Sequence, residues 1–99
     1  MGERFLRGYV AFLYGRANAD ELQGASADLR RALRRSRIRV PPARARRAPG
    51  LVRVDAVLQA PDVVQLTATI DDGDLTPYPV TAFVERRDAR WLVTHLADD

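Results

Sequence analysis

Apolar residues recur every three to four positions up to about residue 35, and every second position from Leu51 onward. A period near 3.6 marks an amphipathic helix, and a period of two marks a strand with one buried face. The pattern therefore predicts helices first and an antiparallel sheet after them. Residues 4–15 are expected to be helical, with Phe5, Tyr9 and Phe12 flanked at the same spacing by Leu6, Val10 and Leu13. So wide a stripe predicts burial on more than one side. Gly15 suits the left-handed residue that ends many helices. Asn18 reads as the N-cap of a second helix, with Glu21 completing a capping box. This helix is expected to run to about Arg35 and to bury Leu22, Ala25, Leu29, Ala32 and Leu33, with Gly24 weakening it slightly.

Residues 38–40 read as a short strand that Pro41-Pro42 ends, because proline cannot donate to a ladder. Residues 41–50 read as an exposed loop. Four alternating runs follow. Val52, Val54, Ala56 and Leu58 alternate with Arg53, Asp55 and Gln59; after Pro61-Asp62, Val64, Leu66, Ala68 and Ile70 alternate with Gln65, Thr67 and Thr69. Tyr78, Val80, Ala82 and Val84 share one face of the third run. Trp91, Val93, His95 and Ala97 share one face of the fourth, after a turn at Asp88-Ala89. Short links between consecutive runs predict an antiparallel meander. Both faces of the last two runs carry large apolar groups, which predicts that a partner covers the face opposite the helices. The fold class is thus α+β: N-terminal helices packed on a curved antiparallel sheet of about four strands, in one domain spanning residues 1–99.

The chain holds no cysteine and one histidine, which argues against thiol chemistry, Cys-ligated zinc and other transition-metal sites. No metal or other cofactor is expected. No stretch approaches the roughly 18 apolar residues that span a bilayer, and no signal peptide is read. The chain is expected to be cytoplasmic, or extracytoplasmic if a membrane anchor precedes it. All sixteen basic residues are arginine, in keeping with GC-rich codon usage. Charge is divided: residues 1–50 carry net +8 and residues 51–99 net −5, so one end of the fold is expected to be basic and the other acidic.

The order of elements resembles the NTF2-like cone, or cystatin-like α+β roll. The resemblance rests on the helix FLRGYVAFLYGR, the central VPP loop and the closing pair YPVTAFVERRDARWLVTHL. The arginine-rich style is similar to that of actinobacterial soluble domains of conjugation and type IV secretion assembly proteins. That likeness implies a scaffold that binds proteins and does no chemistry, although the N-terminal membrane helix of those proteins has no counterpart here. Enzymes with this fold use an Asp, His or Tyr set in an apolar pocket between sheet and helices.

As parts of such a pocket the sequence offers Tyr9, Phe12, Tyr14, Asp55, Tyr78, Trp91 and His95. For Tyr9, Phe12 and Trp91 the simpler reading is core. For His95 it is a half-exposed strand residue, since no carboxylate is placed in sequence to orient it. For Asp55 it is a solvent-facing residue or an arginine's ion-pair partner. Asp71, Asp72 and Asp74 lack the spacing of an EF-hand loop and read as a solvated hairpin turn. Nine arginines fall between positions 30 and 47. Of these, Arg34, Arg37, Arg39, Arg44, Arg46 and Arg47 are candidates for binding an anion, a nucleic acid or an acidic partner. No aromatic is interleaved among them, as a single-strand-binding platform requires, so a solvated basic surface is the simpler reading. Three functions stay open: a protein-interaction domain or homodimer, a small-molecule pocket protein or enzyme, and a nucleic-acid binder.

Overall fold

A computed structural model describes residues 2–36, 40, 46–73 and 76–97. Helix α1 (Glu3–Leu13) lies across one face of a four-stranded antiparallel sheet. It buries Phe5, Leu6, Tyr9, Val10, Phe12 and Leu13. The rings of Phe5, Tyr9 and Phe12 form a stack with centroids 5.9 and 6.0 Å apart. Gly15 adopts φ 77°, the left-handed conformation expected of it, as the chain leaves the helix. Val40 then donates its N–H to the Leu13 carbonyl at 2.9 Å, satisfying one exposed end group of α1.

The second helix departs from expectation. Asn18 and Glu21 do form the capping box, but it closes only one 3₁₀ turn, Ala19–Glu21. Gly24 then takes φ 82°, and helix α2 (Ala27–Arg35) begins afresh, capped by Ser26 Oγ accepting from Leu29 N–H at 3.2 Å. The break has a cause in the sheet. Val93 donates to the Gly24 carbonyl at 2.7 Å and accepts from Ser26 N–H at 2.9 Å, so the chain at 24–26 is used to cover an edge strand. A continuous helix would have consumed those backbone groups internally.

The strands are β1 (Gly50–Ala60), β2 (Val63–Asp71), β3 (Tyr78–Arg87) and β4 (Arg90–Ala97), in spatial order 1-2-3-4. The β2 and β3 alternation holds at six of its eight inward positions, Leu66, Ala68, Ile70, Val80, Ala82 and Val84, which are buried beneath the helices, while Val64 and Tyr78 are half-buried. Asp88 and Ala89, at φ 52° and 66°, form the tight turn into β4. Residues 38 and 39 of the expected short strand, and residues 41–45 of the central loop, lie outside the described residues.

Two departures in the sheet matter for function. The first is a bulge in β4. Pairing runs Phe83 with His95 and then Val84 with Val93, which leaves Thr94 as the extra residue. Trp91 and Val93 therefore point toward the helices, while His95 is moved to the opposite face, contrary to simple alternation. Leu96, opposite Ala82, returns to the helix side. The outer face of β3 and β4 is accordingly mixed, with Phe83 and Leu92 among Thr81, Glu85, Arg87 and Arg90, and is less apolar than alternation predicted.

The second departure is β1. Val52, Val54, Ala56 and Leu58 were expected to share a buried side, yet Val52, the extra residue of a bulge, is 63% exposed, and in the far half Leu58 is 67% exposed and Val57, on the other side, 54%. Length explains it. An 11-residue helix such as α1 covers about 16 Å. An 11-residue strand runs about 36 Å. β1 sits at the sheet edge and extends past its cover. Bulges at its two ends, between Leu51 and Arg53 and between Leu58 and Ala60, bend it further from the body.

Candidate functional site

Among the described residues, functional groups gather at each end of the helix-covered face, beside His95 on β4 and along β1. At the first end, Tyr14 (just past α1), Asp72 (just past β2) and Tyr78 (opening β3) meet. Tyr14 Oη lies 2.5 Å from Asp72 Oδ2 and 2.7 Å from Tyr78 Oη. A carboxylate only accepts and a phenol has one proton, so Tyr14 donates to Asp72 and Tyr78 donates to Tyr14. The Asp72 side chain is 1% exposed, with Arg47 Nη1 3.8 Å from its other oxygen. Arg47 is held in turn by its carbonyl, which accepts from Arg16 Nη2 at 2.7 Å, and the Arg16 guanidinium lies 5.9 Å from the centre of the Tyr14 ring.

Burial, the Asp72 carboxylate and the Tyr78 hydroxyl push the Tyr14 hydroxyl well above its ordinary value near 10. Tyr14 is thus a permanently neutral donor and cannot serve as a base near neutrality. The cluster ties the ends of α1, β2 and β3 to the segment before β1. Tyr14 and Tyr78 were among the residues the sequence singled out, and Asp72 was not. The expected solvated turn is corrected here: Asp71 stays exposed and accepts from Gly73 N–H at 2.9 Å, while Asp72 folds inward.

At the opposite end, Trp91 reaches a cavity of about 410 Å³ with Phe5, Val84 and Val93 as its apolar wall. Arg4 and Gln23 stand at its rim, joined by a 3.2 Å hydrogen bond. The sequence candidates therefore separate. Trp91 lines this cavity, Tyr14 lies in the cluster at the other end, Phe12 is core, and Tyr9 and His95 both border a groove of about 330 Å³ between α2 and β4. Asp55 is on exposed β1, 2.9 Å from Arg53, away from both places.

His95 is exposed, but a carboxylate does stand beside it. Across the strand pair, Glu85 Oε2 lies 3.3 Å from His95 Nδ1, and Thr94 Oγ1 stands 3.0 Å from the same nitrogen while donating to Glu85. Sequence reasoning found no carboxylate because Glu85 meets His95 only through the β4 bulge. The Thr94 hydrogen bond, followed by Arg87 and His95, holds the Glu85 carboxyl below its usual range.

Among the described arginines, several of the basic cluster are engaged locally. Arg30 donates to the Leu22 carbonyl at 2.7 and 3.0 Å, Arg31 pairs with Asp28 at 3.5 Å, and Arg34 with Asp20 at 2.5 Å. Arg46 is exposed, and Arg47 serves the Asp72 cluster. Arg37, Arg39 and Arg44 lie outside the described residues. Among the described residues no three metal-ligating side chains gather, and no helix is long and apolar enough to cross a membrane.

The last of these places is the β1 edge, where Val52, Val57 and Leu58 stand exposed around the Arg53–Asp55 pair. Comparison of the chain with protein-family models, with curated proteins and with solved structures gives no match.

Proposed function

We propose that this domain is a non-catalytic assembly module that works by binding protein, as the soluble part of a membrane-associated transfer or secretion complex. The observation that supports it is β1: an 11-residue strand at the sheet edge with three large apolar side chains more than half exposed. An exposed, apolar edge strand offers its backbone groups to another chain, and domains without such a use blunt or cover it. The buried Tyr14–Asp72–Tyr78 group supports the same reading, since its hydroxyls and carboxylate are spent on one another. The arginine-rich likeness to actinobacterial soluble domains of conjugation and type IV secretion assembly proteins supports the placement in a transfer or secretion complex.

The test is a Val57→Lys/Leu58→Lys double variant. Both positions are exposed, so stability should change by less than about 0.5 kcal/mol. The native domain should migrate in cell extracts as a species larger than its own mass, and the variant should migrate alone. If both migrate at the mass of one chain, the proposal fails.

The cavity at Trp91 supports a second reading, a binder of small molecules that combine an apolar ring with an anionic group facing Arg4. Its volume of about 410 Å³ falls within the range of ligand sites. Trp91 is the one tryptophan in the chain, so its fluorescence reports on occupancy directly. No spectral change with a panel of aromatic carboxylates at millimolar concentration would remove this reading.

A further inference from the structure

We infer that the β1 edge binds a second copy of this chain, strand against antiparallel strand, about a two-fold axis at Val54. This inference rests on the assembly reading and names the partner. Two-fold pairing of a strand with itself places residue i opposite a residue of matching parity, because opposed side chains share a face. An axis at Asp55 would set two like carboxylates against each other, which is unfavourable. An axis at Val54 sets Arg53 opposite Asp55 of the second copy, and Asp55 opposite its Arg53. The Arg53–Asp55 contact seen within one chain at 2.9 Å would thus be duplicated between chains.

The same register meets a second, independent feature. With Val52 the extra residue of the bulge, it brings exposed Leu58 alongside Pro49 and Leu51 of the second copy, on the helix side of the sheet. There, a groove of about 280 Å³ lies beside the start of β1, with Val10, Ala11, Pro49 and Leu51 as its apolar wall. Gly50 has no side chain to obstruct the approach. A knob that is 67% exposed and a groove beside the matching end of the same edge are self-complementary under this axis. The result is a continuous eight-stranded sheet. The interface is at the small end of specific ones, so a dissociation constant on the order of 10 μM is expected.

Charge reversal tests the register. Sedimentation equilibrium is run from 1 μM to 1 mM (concentrations chosen about the roughly 10 μM expectation) on the native chain, on Arg53→Asp, on Asp55→Arg, and on an equal mixture of the two variants. Circular dichroism checks that each variant is folded. The native chain should dimerise, and each single variant should weaken dimerisation by at least about tenfold through like charges opposed across the axis. The mixture should recover a heterodimer, because one variant then presents two acids and the other two arginines. The contact within each chain remains broken in the mixture, so recovery can come only from pairing between chains. A native chain that stays monomeric at 1 mM, single variants that dimerise like the native chain, or a mixture that stays monomeric would each overturn the inference. A monomeric native chain that still migrates in a larger species in extracts, by way of positions 57 and 58, would leave the assembly reading standing.

Discussion

Replacing Tyr14 by Phe removes one oxygen and nothing else, and the structure sets what that should cost. The lost hydroxyl donates to Asp72 Oδ2 at 2.5 Å and accepts from Tyr78. Asp72 is almost wholly buried, so water cannot replace the donor without opening the ends of α1 and β2. A hydrogen bond to a charged group contributes about 1.5–3 kcal/mol, and an orphaned buried acceptor adds to the loss. Tyr14→Phe should therefore destabilise by about 2–3 kcal/mol. In a domain of this size that lowers Tm by roughly 8–20 °C. Tyr78→Phe removes a neutral, partly exposed bond and should cost about 1 kcal/mol. The assay is urea unfolding followed by Trp91 fluorescence, with a double-mutant cycle adding Asp72→Asn. Coupling between positions 14 and 72 should be at least about 1 kcal/mol. A loss below about 0.5 kcal/mol, or additive single effects, would refute the claim that the cluster holds the two ends together.

Other outcomes follow from the same geometry. The Tyr14 hydroxyl titrates higher in the folded chain than in the unfolded one, so its contribution is complete below pH 10 and declines above it; native stability should fall more steeply there than that of Tyr14→Phe, and tyrosinate absorbance should appear in step with unfolding. Glu85 titrates lower when folded, so its contribution is complete above its unfolded value of 4.5 and is lost as pH falls through the folded value. Thr94→Val should raise the Glu85 midpoint seen by carboxyl carbon NMR, and an unchanged midpoint would contradict the Thr94 assignment. Ala89 sits at φ 66°, where an L-residue costs about 1–2 kcal/mol and glycine little; Ala89→Gly should stabilise by about 0.5–1 kcal/mol after glycine's greater unfolded-state entropy, measured by urea midpoint.

Sequence periodicity located α1, the meander and the inward faces of β2 and β3 because the central stretches of those strands, Leu66–Ile70 and Val80–Val84, lie under the helices, so pattern and burial coincide there. It failed where a non-local contact changed a local rule. The second helix breaks at Gly24 because Val93 claims the backbone groups of residues 24–26, and no window of sequence contains that contact. His95 changed faces through one inserted residue, Thr94, and alternation carries no mark of a bulge. Apolar spacing in β1 was read as burial, yet the helices that would bury it are less than half its length. Most of the pocket candidates were scattered for a related reason: Tyr14 and Trp91 lie at opposite ends of α1, only Tyr9 and His95 share a groove, and Asp72, which completes the Tyr14 cluster, looked like any acid in a turn.

The central claim is that β1 is the working surface of the domain. A photo-crosslinking amino acid at position 58, in cells that produce the protein, addresses it without removing the contact. Irradiation should give one or a few adducts of defined mass from position 58, including one at twice the mass of the chain, and none from a probe at exposed Arg31 on α2. Equal, diffuse labelling from both positions, or no adduct from position 58, would contradict the account.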